Sequence, residues 1–321
     1  MNFYNDFSKK MSSFGNKRND IIFEKNRHFT KYALEYEPKI LNIKKHYYLS
    51  IVAIFKNESW ILEEWLNHYL NEGVDHFFLI DNDSSDDYIS ILKPFIDKKQ
   101  VTLFKDRKPN NQKGHYNKYI LPVKNISEWF LVCDLDEFVY SRNEFNKISD
   151  YLKKLNDKIG NVFIPWKIFG SSGLKAHPKD GVLNNFSNRA IYDKNIKNIC
   201  VSNNKILCKT IIRSKYLVNL AVHIQQCNKS AFQITSDNKY LNNLVDNTYI
   251  NINEDILKNS NLHLNHYPIQ SVEFFQKIKM TRGDATNIKL NNYRNMKYFY
   301  NYDKNSNKMS DEELSIKDYK K

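Results

Sequence analysis

YYLSIVAIFKNESWILEEWLNHYLNEG, residues 47–73, is the stretch whose reading decides the fold class. Tyr47–Phe55 is a near-continuous β-prone apolar run, which marks a strand buried on both faces. Asn57-Glu58-Ser59 interrupts it. Trp60, Ile61, Leu62, Trp65, Leu66, Tyr69 and Leu70 then recur at helical spacing until Gly73 ends the run. A strand feeding straight into an amphipathic helix is the first half of a βαβ unit. The pattern repeats downstream. HFFLID (76–81) predicts a second strand, followed by an Asx-rich turn, Asp81–Asp86, and a helix over Asp87–Asp97. Gln100–Lys105 predicts a third strand. A polar loop over 106–114 and a helix over 115–125 precede the fourth strand, EWFLVCD (Glu128–Asp134). Strands alternating with helices of this length predict an α/β fold with a mainly parallel sheet.

Ligands of such sheets bind outside the carboxyl ends of the strands. The first, second and fourth strands end in polar clusters: Asn57-Glu58, Asp81–Asp86 and Asp134-Leu135-Asp136-Glu137. Three clusters converging on one sheet edge argue for a site more strongly than any one of them.

The second half is less regular. Strands are predicted over Asn161–Gly173 (ending in the loop FGSSG), Lys205–Arg213, Leu217–Ile224 and the segment Asn261–Pro268. A helix is predicted over Ser271–Gly283, with Ser271 at its N-cap. Residues 1–46 read as an N-terminal extension, 47–285 as the folded domain, and 286–321 as a polar tail, frayed from about Tyr302.

Of the 321 residues, 41% are hydrophobic and 14% aromatic, ample for a packed core and inconsistent with global disorder. The net charge of +13 would attract anions. It is spread along the chain and not gathered in one stripe, which favours a compositional bias over a dedicated nucleic-acid surface. Cys133, Cys200, Cys208 and Cys227 form no CxxC pair and read as buried free thiols of a reducing compartment. There is no apolar leader at the N-terminus and no apolar run of about 18 residues, so the expectation is a cytoplasmic protein whose membrane contact, if any, is peripheral.

In extended geometry Asp134 and Asp136 project to one side with Leu135 opposite. Two carboxylates that close repel, and a hard divalent cation, Mn²⁺ or Mg²⁺, removes the conflict while bridging the phosphates of a nucleotide diphosphate. The bland reading of a lone DxD is a solvated turn; its place behind WFLVC and ahead of Phe138-Val139-Tyr140 favours the functional one. The Asp81–Asp86 turn fits contacts to a base and ribose, or a helix cap at Asp86, equally well. Among the histidines, His263, Asn265 and Tyr267 share one strand face and His266 lies on the other; His223 is a third candidate. GxGxxG, GxxxxGK[ST] and GxSxG are all missing from the sequence, so it carries no dinucleotide fingerprint, P-loop or nucleophile elbow.

Four blocks, IVAIFKNESWILEEWLNHYLNEGVDHFFLIDNDSSDD, WFLVCDLDEFV, IPWKIFGSSG and NHYPIQSVEFFQKIKMTRG, stand in an order that resembles glycosyltransferase family 92 and related family-2-like transferases over roughly residues 49–285. The resemblance implies a GT-A fold: a mainly parallel nucleotide-binding sheet flanked by helices, with a smaller mixed acceptor-binding half. It also implies an inverting, metal-dependent hexosyl transfer from a nucleotide-diphosphate sugar, UDP-sugar above others, to a hydroxyl of a glycan acceptor. On that resemblance Asn57, Glu58, Asp81 and Asn82 surround the nucleotide. Asp134 and Asp136 form the metal-binding DxD, with Asp136 the direct ligand and His266 a third ligand or a diphosphate contact. Lys277 and Arg282 face phosphate, and FGSSG lies near the acceptor. Gln270-Ser271 replaces the family's Lys-Ser. The general base is left open among His177, Asp180 and Glu273. Two alternatives stand beside this reading: a metal-dependent sugar nucleotidyltransferase, against which Phe55–Glu58 lacks a glycine-rich phosphate loop, and a non-enzymatic basic module binding nucleic acid or acidic glycan.

Overall fold

A computed structural model describes residues 47–192, 201–202, 205–241, 249–281 and 294–317. The expected extension 1–46, Cys200, Arg282 and Gly283 lie outside them.

The opening βα units fold as read. Strand β1 (Tyr47–Phe55) leads into helix α1 (Ser59–Asn71), strand β2 (His76–Asp81) into helix α2 (Tyr88–Asp97), and strand β3 (Val101–Lys105) into helix α3 (Gln112–Tyr119). Strand β4 (Ser127–Val132) pairs parallel to β1, which pairs parallel to β2, and β2 to β3. Leu49, Ile51, Phe77, Leu79 and Leu131 are fully buried, as strands covered on both faces require. The helix predicted over 115–125 begins earlier, at Gln112, and gives way to a 3₁₀ segment, Leu121–Ile126, because Pro122 cannot continue the α-helical hydrogen-bond ladder. Gly73 has φ +84°, and a Cβ there would meet Ser149 Oγ at 2.2 Å, so the turn after α1 needs glycine.

The rest of the sheet is mixed. Strand β5 (Glu137–Ser141) follows β4 after a tight turn, with Glu137 N–H donating to the Asp134 carbonyl. Helix α4 (Ile148–Lys154), strand β6 (Ile159–Ile168), strand β7 (Lys205–Arg213), helix α5 (Glu254–Asn259) and strand β8 (Leu262–His266) come next. The main path runs β3-β2-β1-β4-β7-β6-β8-β5. β7 is antiparallel to both β4 and β6, while β8 is parallel to β6 and antiparallel to β5. The reversal at β7 is where the parallel half ends. Leu217–Ile224 is strand only over Leu217–Asn219. Beyond it, side-chain amides take the backbone: Leu220 N–H donates to Asn117 and Ala221 N–H to Gln225.

The carboxyl end differs most from expectation. Ser271 caps a single α-turn, Val272–Phe274, which continues as a π-turn over Phe275–Lys279; together these are α6. Residues 294–317 are docked, not frayed. Helix α7 (Met296–Ser306) buries Phe299 and Tyr302, and Met309–Ser310 pairs with Asn188–Arg189. Lys167, buried near the carboxyl end of β6, draws the tail in through Asp311 at 2.6 Å, and Arg189 holds the same carboxylate at 2.6 Å. No helix among the described residues is long and apolar enough to cross a membrane.

Candidate functional site

The turn between β4 and β5 carries the DxD. Cys133 and Leu135 are fully buried and anchor it, and the Trp65 indole of α1 donates to the carbonyls of Asp134 and Glu137. Asp134 and Asp136 are therefore on a turn and not on an extended strand, and each carboxylate meets its own cation. Asp134 Oδ2 is 2.8 Å from Lys209 Nζ of β7, and its Oδ1 accepts from the Gln112 amide of α3 at 3.0 Å. Asp136 Oδ2 is 2.5 Å from Lys279 Nζ of α6, and its Oδ1 is 3.6 Å from His266 Nε2 at the end of β8. Tyr267 N–H donates to the Asp136 carbonyl, fixing β8 against the turn.

Two more carboxylates complete the cluster. Glu58 lies 3.3 Å from Lys279, and the fully buried Glu137 lies 3.2 Å from Lys209 while accepting from Asp134 N–H. Four carboxylates thus face two ammonium groups. Burial disfavours ionised Asp134 and Asp136, yet Lys209 in the first case and Lys279 with His266 in the second hold both below the usual carboxylate range. Glu137 goes the other way: burial, reinforced by Asp134, pushes it up to about 7 against the pull of Lys209. Burial alone would drive Lys209 toward neutrality, but Asp134 and Glu137 raise it above the ordinary lysine value.

The clusters at the ends of β1 and β2 are tied to each other. Asn57, at φ +55°, accepts from Ser85 N–H through its side chain and donates its own N–H to Ser84 Oγ. Asp81 is fully buried; its oxygens accept from Ser84 N–H and Tyr88 O–H, and Lys105 lies 3.5 Å away. Asn82 donates to the carbonyls of Asp106 and Lys108. These side chains build the loop rim itself. Asp86 meets Ser59 N–H across it and does not cap its own helix.

The histidines separate as their strand faces predict. His266 sits at the turn, its ring 4.1 Å from Trp166, with a buried Nδ1 that has no hydrogen-bond partner. His223 also packs against Trp166, and burial and Lys209 lower its pKa to about 3. His263 is remote from the turn, enclosed by Tyr140, Lys167 and Glu313.

Three expectations shift. Lys277 faces outward, paired with Glu273 at 2.7 Å, and Lys279 takes the place beside the acidic turn. FGSSG is packed under the carboxyl-terminal helix: Ser171 N–H donates to Asp303 and Ser172 N–H to Asn307. Of the candidate bases, His177 is wedged between Trp60 and Phe274, Glu273 bonds Lys277 and His177 N–H, and Asp180 accepts from Asn185. Lys209 and Lys279 are the residues the sequence reading missed. Lys209 is the central charge of KILCKTIIR, between charged residues at either end of the strand, and Lys279 stands four residues after the buried Phe275.

Among the described residues, no three His, Cys, Asp or Glu side chains group closely enough to hold a metal ion unaided. Asp136 with His266 offers an oxygen and an imidazole side by side, and the cluster carries more carboxylates than ammonium groups. That donor set is chemically compatible with a hard divalent cation.

An α/β sheet whose strand ends carry a charged cluster belongs to the class of folds that place ligands at that edge. Comparison with known families is specific: the model of glycosyltransferase family 92 matches residues 45–321, and the chain belongs to that family. A family 92 protein of Ricinus communis is 26% identical over 257 residues, 78% of this chain and 40% of the relative. One of Oryza sativa subsp. japonica is 24% identical over 159 residues, 49% of this chain and 27% of the relative. The chain thus matches less than half the length of either. Solved structures with partial likeness include S. aureus TarS residues 1–349 (TM-score 0.32, 15% identity, 59% of this chain and 61% of that one). Another is the Mycobacterium tuberculosis glucosyl-3-phosphoglycerate synthase in complex with Mn²⁺, UDP and glucosyl-3-phosphoglycerate (TM-score 0.27, 13% identity, 58% and 62%).

Proposed function

We propose that this chain is a GT-A-type glycosyltransferase that moves a hexose from a nucleotide-diphosphate sugar, a UDP-sugar first among them, to a hydroxyl of a glycan acceptor, with inversion and with help from Mn²⁺ or Mg²⁺. The observation that carries the reading is the turn after β4 at which Asp134 and Asp136 each sit beside a lysine and Asp136 also meets His266 of β8. Membership of family 92 supports it.

Asp136 and His266 would hold the cation, with Asp134 across the turn. A bound cation supplies charge neutralisation for the departing diphosphate. The chain's own contributions are separate. Lys279 and Lys209 place two fixed positive charges beside the same leaving group, in a site where burial strengthens them. The loops tied together through Asn57, Asp81, Asn82 and Ser85 form the rim for base and ribose, and Glu58 holds Lys279 in line. The acceptor proton requires a carboxylate or imidazole on the face opposite the diphosphate.

The test is calorimetric titration of UDP, GDP and their sugars with and without Mn²⁺, with donor hydrolysis read in parallel. UDP binding that needs the metal and is lost in Asp136→Ala is expected. Salt-sensitive polyanion binding that survives Asp136→Ala, with no nucleotide bound, would replace the reading with that of a basic binding module.

A further inference from the structure

A cavity opens next to the acidic turn. It has a volume of about 980 Å³ and runs between β6, the amino end of β7, the loop 219–227 and the short strand Phe232–Thr235. That is near the upper end of ligand-pocket sizes, with room for more than one sugar ring. It joins the site through one residue pair. Val222 and His223 line it, and the Val222 carbonyl accepts from Lys209 Nζ at 2.8 Å, the ammonium that binds Asp134.

Its lining is basic. Lys113, Lys205, Lys229 and Lys239 stand around it against one carboxylate, Asp237, which Lys239 already pairs at 2.9 Å. Lys113, Lys205 and Lys229 have no carboxylate partner among the described residues. Two buried polar atoms in the lining, Ser236 Oγ and His223 Nδ1, lack hydrogen-bond partners. Such atoms cost free energy unless a ligand or water satisfies them. Tyr240, 61% exposed, presents an aromatic face at the rim, suited to stacking on a sugar ring.

Resting on the transferase reading, we propose that this groove seats the acceptor and that the acceptor is an acidic glycan, bearing carboxylate or phosphate groups that the three unpaired lysines read. Its hydroxyl end would lie at Val222–His223, against Lys209 and Asp134, and its charged repeats would extend toward Lys205 and Lys229.

The test uses the full chain saturated with UDP and Mn²⁺, and fluorescently labelled trisaccharides: trigalacturonate, a 6-phosphorylated trimannoside, and their neutral counterparts galactotriose and trimannoside. At least one acidic probe should bind about tenfold or more tighter than its neutral counterpart, since several ion pairs each add a modest increment. Which acid wins separates a carboxylate from a phosphate acceptor. The triple variant Lys113→Gln, Lys205→Gln, Lys229→Gln should reduce the acidic probe to the neutral level and leave UDP affinity unchanged. Equal binding of acidic and neutral probes overturns the proposal, as does no binding at millimolar concentration. An equal loss in the distant control Lys98→Gln, Lys154→Gln, Lys297→Gln would reduce the effect to net charge, and a parallel fall in UDP affinity would assign the groove to the donor; either outcome sinks it. If UDP-sugar hydrolysis persists in those cases, only the acceptor inference fails; if no nucleotide binds, the transferase reading fails with it.

Discussion

Lys279 Nζ lies 2.5 Å from Asp136 Oδ2, joining residues 143 positions apart. The pair closes α6 over the β4–β5 turn, and Glu58 shares the same ammonium. Two anions therefore depend on one buried cation.

Replacing that cation exposes the dependence. Lys279→Met leaves Asp136 and Glu58 facing each other in a buried setting, where breaking an ion pair costs about 3–5 kcal/mol. Urea denaturation should show that loss. If Asp136 and His266 hold a divalent cation, Mn²⁺ should restore part of the stability in the variant and more of it than in the parent protein. Equal effects of Mn²⁺ on both would argue against a metal at Asp136.

Acid should unfold the protein through its buried histidines. His68 is packed under β5, with Nε2–H donating to the Val139 carbonyl at 2.7 Å, and burial, helped by Lys317, lowers its pKa to about 3. The unfolded chain protonates it near pH 6.5, whereas the folded one does not until about pH 3. The folded state then binds fewer protons, so stability is full above pH 6.5 and falls as pH drops through that window. The loss from this group approaches about 5 kcal/mol, at about 1.4 kcal/mol per pKa unit. His68→Gln keeps a donor for the carbonyl and removes the titration. Its stability should fall less steeply between pH 6.5 and 4, and an unchanged slope would mean that His68 does not titrate in this range.

The tail should behave as part of the domain. Removing residues 309–321 strips Asp311 and Glu313 from Lys167 and Arg189, leaving two buried cations without these carboxylates. Loss of more than about 3 kcal/mol, or failure to fold, is expected. Asp311→Asn is the milder version and should cost less, because Glu254 still holds Arg189 in a two-pronged pair. A truncated chain as stable as the parent would contradict the docking.

How much of this was legible follows from what each residue type signals. The parallel half was readable because strands buried on both faces need a continuous apolar stretch, and β1, β2 and β4 have one in Ile51–Phe55, Phe77–Ile80 and Trp129–Val132. The acidic turn was readable for the opposite reason, since charged residues directly after such strands have no packing role. The lysines were not, because their significance lies in pairing across the chain. Lys277 and Lys279 differ by two positions in one helix. The residue that turns inward is set by the π-turn at Phe275–Lys279, which widens the helical step. The apolar stripe Phe274, Phe275 and Ile278 held part of that signal, for Lys279 stands one turn beyond Phe275. The tail read as frayed because its anchors are charged, and their burial depends on Lys167 and Arg189 more than a hundred residues earlier.

The Asp134–Lys209–Glu137 triad separates stability from function. Lys209→Met leaves the fully buried Glu137 and the partly buried Asp134 without their cation, so it should destabilise by about 3–5 kcal/mol. Asp134→Asn keeps Lys209 paired with Glu137 at 3.2 Å and should cost only about 1–2 kcal/mol, the scale of one charged hydrogen bond. The triple change Lys209→Met, Asp134→Asn, Glu137→Gln removes every charge at nearly constant volume. Buried charge clusters replaced in this way often lose nothing, so thermal melts should return close to the parent value. Metal-dependent UDP binding should not return with them, because the field that the triad creates around the turn is gone. A triple variant that melts like the parent and still binds UDP as tightly would show that the triad is structural only, and would move the donor site away from Asp134.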